Sequence, residues 1–189
     1  ASGPLLVTVG TLSERKGQDL VIQALPEIRR QIPEVRYAAI GMDHASGALT
    51  ALARAVGVED LVHFPGRLSA EEVRAFLGTA DLFVLPSRRT AGGDVEGFGI
   101  AVVEAALCGT PAVVSSGSGL VEAIRDGETG LAVEPESPAA LARAITELLS
   151  DDARRRAMAS RAQERARSEQ TWERRGGQYF RALEELVGG

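Results

Sequence analysis

Short apolar runs alternate along the chain with longer stretches whose apolar residues recur at helical spacing. The first run, LLVTVG at 5–10, closes on glycine. The stretch 18–31 that follows sets Leu20, Ala24 and Ile28, with Ile32 just beyond, on one side of a helix. Further strands are expected at 35–41, 61–66, 81–86, 111–116 and 130–135. Further helices are expected at 47–57, 69–78 and about 98–108, with a short one near 119–125. Ser69 and Glu72 read as a capping box, with Gly78 closing that helix. Gly109 and Pro111 end the helix before them. Two or three charged helices fill 137 to 187.

The runs read as strands apolar on both faces rather than alternating. That pattern argues for a parallel sheet covered by helices on both sides. Six strands in this rhythm predict an α/β, doubly wound, Rossmann-like sheet. Ligands of such sheets bind at the carboxyl ends of the strands, so the residues just after each strand carry the candidate chemistry.

With 189 residues, 44% of them hydrophobic, the chain can bury one substantial core. A net charge of -5 argues against a general nucleic-acid binder, and no nucleic-acid partner is expected. No apolar run approaches the ~20 residues of a membrane span, and no signal peptide is recognised. A lone cysteine, Cys108, excludes an internal disulfide and fits a reducing compartment. The basic residues are twenty arginines and one lysine, Lys16.

After the first strand comes GTLSERKGQ, 10–18, with Arg15 and Lys16 just before Gly17 and a helix start. A helix N-terminus attracts anions and two cations add to it, yet the same spacing also suits a solvated basic turn. Gly41 follows the second strand, and Arg67 and Leu68 follow the third; by themselves these are turns. After the fourth strand, a polar loop leads into EGFGIAVVE, 96–104. From Phe98 to Cys108 the only polar side chain is Glu104, so this helix is expected in the interior. A buried carboxylate needs a hydrogen-bonding partner, which a ligand's hydroxyls or a local group would supply. Glu96 stands before the helix's positive end, and Gly97 and Gly99 let backbone amides approach a ligand; an ordinary helix-start acid remains the alternative. The triplet DVE at 94–96 has no histidine near it, and no metal is expected.

Arg88 and Arg89 could reach an acceptor phosphate or lie in a solvated loop. His44 and His63 read as structural or exposed, Cys108 as packing, and the arginine-rich run 154–167 as a solvated helix face.

Gly10, Arg15-Lys16-Gly17, Glu96-Gly97-Phe98-Gly99 and Glu104, with AALCGTPAVVSS, IRDGETGLAVEP and Trp172, resemble the donor half of glycosyltransferase family 4. The resemblance runs from about Leu5 to Leu186, and the two glutamates with seven residues between them are its most specific motif. GGDVEGFGIAVVEA is similar to members that use GDP-mannose. The resemblance implies the C-terminal half of a GT-B fold: one nucleotide-sugar-binding domain over 1–189, with sheet and covering helices to about 150 and C-terminal helices over about 151–187. An N-terminal acceptor domain is expected to lie outside this chain.

The implied roles follow position by position. Lys16 and Glu96 would be the catalytic residues, Lys16 binding the donor's diphosphate and Glu96 the transferred sugar. Glu104 would take the ribose hydroxyls. Amides around Gly97, Phe98, Gly99 and Ile100 would meet sugar and phosphate. Main chain at Arg67 and Leu68 would contact the base, and Gly10 and Gly41 would line the cleft. Many members have arginine where this chain has Thr11, so Arg15 would compensate at the diphosphate. The implied reaction moves a hexose from a GDP- or UDP-sugar to a glycan, lipid or small-molecule acceptor, with retention, no metal and no cofactor. A cytoplasmic enzyme is implied, touching the inner membrane face only through the other domain, and this half alone should bind donor yet transfer almost nothing. The rival readings are an epimerase or phosphorylase of the same architecture and a non-catalytic nucleotide-binding module.

Overall fold

The computed structural model describes residues 3–42, 45–174, 176, 177, 180 and 184. Six strands run Leu5–Val9 (β1), Arg36–Ile40 (β2), Val62–Gly66 (β3), Leu82–Leu85 (β4), Ala112–Ser115 (β5) and Gly130–Val133 (β6). Six α-helices run Gln18–Gln31 (α1), Ser46–Ala55 (α2), Ala70–Thr79 (α3), Ile100–Leu107 (α4), Pro138–Ser150 (α5) and Asp152–Glu169 (α6). Every strand pair is parallel, and the order across the sheet is β3-β2-β1-β4-β5-β6. The order reverses between β1 and β4, where Leu6 pairs with Leu82 and Val7 with Phe83. A cleft opens at such a reversal because the two flanking connections leave in opposite directions.

The strands' unbroken apolar character has a simple cause. Leu6, Tyr37, Leu82, Val84 and Val113 face one helical layer and join Leu20, Leu25, Ile28, Ile145 and Leu148 in its core. Their neighbours Val7, Ala38, Ile40, Phe83, Leu85 and Val114 face the other layer, with Val102, Ala105 and Ala106 of α4 and Ala162 and Ala166 of α6. Side chains alternate between faces, and both faces are dry.

Several boundaries differ from the sequence reading. Ser69 and Glu72 do form the capping box, but α3 runs through Gly78 to Thr79. Gly78 has open space around it and the helix has no need of a left-handed stop there. The helix expected from 98 begins at Ile100, because Gly99 is left-handed with φ 75°. The short helix near 119–125 is one 3₁₀ turn, Gly119–Glu122. The arginine-rich run is more than a solvated face. Met158, Ala162 and Ala166 bury one stripe of α6, Arg155 bridges to Asp81 at 3.0 Å, and Arg165 Nη1 donates to the Ala123 carbonyl at 2.7 Å. A third C-terminal helix falls partly outside the described residues.

Candidate functional site

The first three strands end side by side in backbone contact. Gly10 N–H donates to the Ile40 carbonyl at 2.8 Å, and Gly41 N–H to the Gly66 carbonyl at 3.0 Å. These bonds bring the sequence candidates Gly10, Gly41, Arg67 and Leu68 to one edge of the sheet. Arg67 is exposed there, and Leu68 packs half-buried on the core below.

From Gly10 the chain passes through Thr11 into a braced loop. Gln18 Nε2 donates to the Thr11 carbonyl at 3.2 Å, and Gln18 Oε1 accepts from Ser13 N–H at 3.3 Å. Gln18 is buried, so the first residue of α1 holds this loop from beneath. A 3₁₀ turn, Glu14–Lys16, follows and ends at Gly17 with φ 70°. The Arg15 carbonyl accepts from Arg88 N–H at 2.9 Å, tying the turn to the segment after β4. The end of the Lys16 side chain lies against Gly10, where a Cβ would stand 3.1 Å from Cε and 3.4 Å from Nζ.

Glu96 arrives from the far side of the strand-order reversal. Its carbonyl accepts from Gly119 N–H at 3.3 Å, and a Cβ on Gly119 would meet the Gly97 carbonyl oxygen at 2.4 Å. The loop after β5 therefore presses directly on the Glu96 turn and fixes where its carboxylate stands. Glu96 Oε2 accepts from Lys16 Nζ at 2.9 Å and from Arg15 Nη1 as well. Arg15 Nε in turn lies 3.0 Å from Asp94 Oδ2. The reading of Arg15 and Lys16 as a solvated turn is thus replaced by a partly buried cluster of two cations and two carboxylates. The Lys16–Glu96 pair is shielded from water and so attracts more strongly than an exposed pair, whereas Asp94 stays open to solvent.

Glu104 overturns one expectation. It is exposed, not interior, and has no hydrogen-bonding or ionic partner among the described residues. On α4 the small and branched residues Val102, Val103, Ala105 and Ala106 turn inward, while Ile100, Glu104 and Leu107 form one outward stripe. Ile100 is 55% exposed and Leu107 43%, an unusual degree for aliphatic side chains flanking a carboxylate. Glu104 is open to solvent, so burial does not explain the acid.

Arg88 is drawn inward by an ion pair rather than solvated, its side chain 14% exposed. Its Nη2 lies 2.7 Å from each oxygen of Asp19, in the first turn of α1. Arg89 and His63 are exposed, and His44 lies outside the described residues. Cys108 packs half-buried at the end of α4, where burial and then the Glu104 charge hold its thiol above the usual range. Sequence reasoning missed three contributors: Gln18, Asp94 and Gly119. Only Asp94 left a trace, as the first acid of DVE; the other two act through contacts formed in the fold. Among the described residues, no three His, Cys, Asp or Glu side chains are grouped as a metal would need. Also among them, no helix is long and apolar enough to cross a membrane.

Comparison with known proteins bears on the family and the fold. The family model described as glycosyl transferases group 1 matches residues 2–165. A GDP-mannose-dependent alpha-(1-6)-phosphatidylinositol monomannoside mannosyltransferase of Mycolicibacterium smegmatis is 38% identical over 187 residues, covering 98% of this chain and 48% of its own. Among solved structures, sucrose-phosphate synthase from Thermosynechococcus elongatus superposes with a TM-score of 0.83 at 29% identity, over 98% of this chain and 46% of that one. Anabaena HepE in complex with UDP and glucose superposes with a TM-score of 0.77 at 27% identity, over 87% of this chain and 43% of that one. The chain spans about half the length of the curated relatives it matches.

Proposed function

The chain belongs to the glycosyl transferases group 1 family, and from that premise we propose that it is the donor-binding domain of a retaining, metal-independent hexosyltransferase. The observation that carries this reading is the meeting of Arg15, Lys16 and Glu96 over Gly10 at the strand-order reversal. A nucleotide-diphospho-sugar needs fixed positive charge for its diphosphate and an acid for its sugar, and both are here within one ion-pair distance.

Lys16 and Arg15 hold the diphosphate. The amides of Gly97 to Ile100, at the positive end of the eight-residue helix α4, add partial charge beside it. Glu104 accepts from the ribose hydroxyls, and main chain at Arg67 and Leu68 meets the base. Glu96 holds the hydroxyls of the sugar. As the bond from anomeric carbon to phosphate oxygen breaks, the diphosphate gains negative charge, and the preset cations and amides stabilise it without reorganising. The ring gains positive character, which the Glu96 carboxylate favours. GDP-mannose is the donor of first choice, in keeping with the M. smegmatis relative's name. The acceptor, a glycan, lipid or small molecule, is held by a second domain in the remaining half of the enzyme, which works in the cytoplasm.

Calorimetric titration with GDP, UDP, ADP and their sugar conjugates tests the reading. Saturable binding of one nucleoside diphosphate and its conjugate is expected, with GDP the tightest of the three nucleoside diphosphates. Binding of none of them by the folded chain refutes it.

A further inference from the structure

The cations of this site hold an anion supplied by the chain itself. Both Arg15 and Lys16 bind the same oxygen of Glu96, and the side chains of Lys16 and Glu96 are only 12% and 11% exposed. With Asp94 on the other side of Arg15, the cluster sums to two positive and two negative charges. A diphosphate entering this cluster as it stands would leave it strongly negative. A diphosphate that takes Lys16 and Arg15 therefore competes with the Glu96 carboxylate for the same cations.

Resting on the donor-site reading above, we propose that Glu96 is the resident occupant of the diphosphate site, and that this makes it discriminate an intact nucleotide-sugar from the nucleoside diphosphate left after transfer. What the displaced carboxylate finds next decides the difference. When a sugar is attached, its hydroxyls donate to Glu96 and replace the lost cations. When the diphosphate comes without sugar, Glu96 stands largely shielded beside a second anion with nothing donating to it, which is costly. The penalty falls on the product and spares the donor. Asp94, whose side chain is 68% exposed, keeps its hold on Arg15 Nε throughout and leaves the other guanidinium nitrogens to the phosphates.

The test titrates inorganic diphosphate, GDP and GDP-mannose into the chain and into Glu96→Gln and Glu96→Ala. Both variants should bind inorganic diphosphate roughly tenfold tighter than the unsubstituted chain, because the internal competitor is gone. They should also shift preference from GDP-mannose toward GDP. Unchanged or weaker diphosphate binding in folded variants overturns the proposal. Should neither variant fold, the unsubstituted chain still decides: GDP-mannose must bind at least as tightly as GDP, and the reverse order overturns it. Lys16→Ala separates the two readings. If it leaves diphosphate binding untouched, the donor site itself is misplaced. If it removes that binding while Glu96→Gln changes nothing, the site stands and the resident-occupant role falls.

Discussion

The backbone at Gly41 sits so close to Gly10 that a Cβ on Gly41 would stand 2.0 Å from the Gly10 carbonyl oxygen. That oxygen belongs to the rigid end of β1, so it cannot swing aside as a side chain would. Gly41→Ala is expected to destabilise the chain by about 3 kcal/mol. Gly78→Ala should do the opposite, adding about 0.4–1 kcal/mol, since Gly78 lies inside α3 with open space around it. Urea midpoints at constant slope check both.

Lys16→Ala should weaken binding of a nucleoside diphosphate by about 1.5–3 kcal/mol, the range for a hydrogen bond to a charged group. Binding of the nucleoside alone should hardly change. An equal loss for both, measured by calorimetry, would make Lys16 a structural lysine.

Glu104→Gln should leave stability within about 0.5 kcal/mol, as expected for an exposed side chain without partners. Nucleotide affinity should fall roughly tenfold, and affinity for the 2′,3′-dideoxy analogue should not fall at all. A matching loss for the analogue removes the ribose assignment.

The sheet was readable in the sequence because its strands are apolar on both faces, and Ser69 with Glu72 marked a helix start that the fold keeps. Gly78 misled because a glycine in mid-helix and one at a C-cap look alike until the next contacts are known. Glu104 misled for a related reason. Ile100 and Leu107 count as apolar in any periodicity, so the outward stripe they form was hidden. The motif positions of the site were visible, but their pairings were not. Nothing local says that Arg15 meets both Asp94 and Glu96, or that Arg88 grips Asp19. Those contacts depend on which strand lies beside β1.

Tyr37 gives a pH prediction. Its hydroxyl, wholly buried, donates to Thr8 Oγ1 at 2.9 Å, and Thr8 Oγ1 donates to the Val84 carbonyl at 2.5 Å. Burial raises its pKa well above the usual phenol value, since the core disfavours phenolate. The unfolded chain releases this proton near pH ~10, while the folded chain keeps it. The contribution is therefore constant below that pH and is lost as pH rises above it. Tyr37→Phe should cost about 1 kcal/mol at neutral pH and flatten the alkaline decline. Denaturation at pH 8 and at pH 10.5 in both proteins provides the comparison.

The chain by itself should bind a nucleotide-sugar and turn over almost none of it. Holding donor and acceptor in attack geometry is worth ~7–11 kcal/mol, and the acceptor surface is assigned to the other domain. Adding that domain should restore transfer, with Glu96 required. Robust transfer to acceptor by these 189 residues alone contradicts the division of labour.

The strand order has a kinetic consequence. Both cations follow β1, but the acid they meet follows β4, and β2 and β3 are made in between and laid down on the opposite side of β1. The cluster of Arg15, Lys16 and Glu96 cannot form until the chain has crossed back over the sheet and zipped β4 onto β1. Long-range parallel pairing of this kind is slow compared with helix formation. In a refolding experiment the helical signal should therefore return first, and diphosphate binding should appear only with the last cooperative phase.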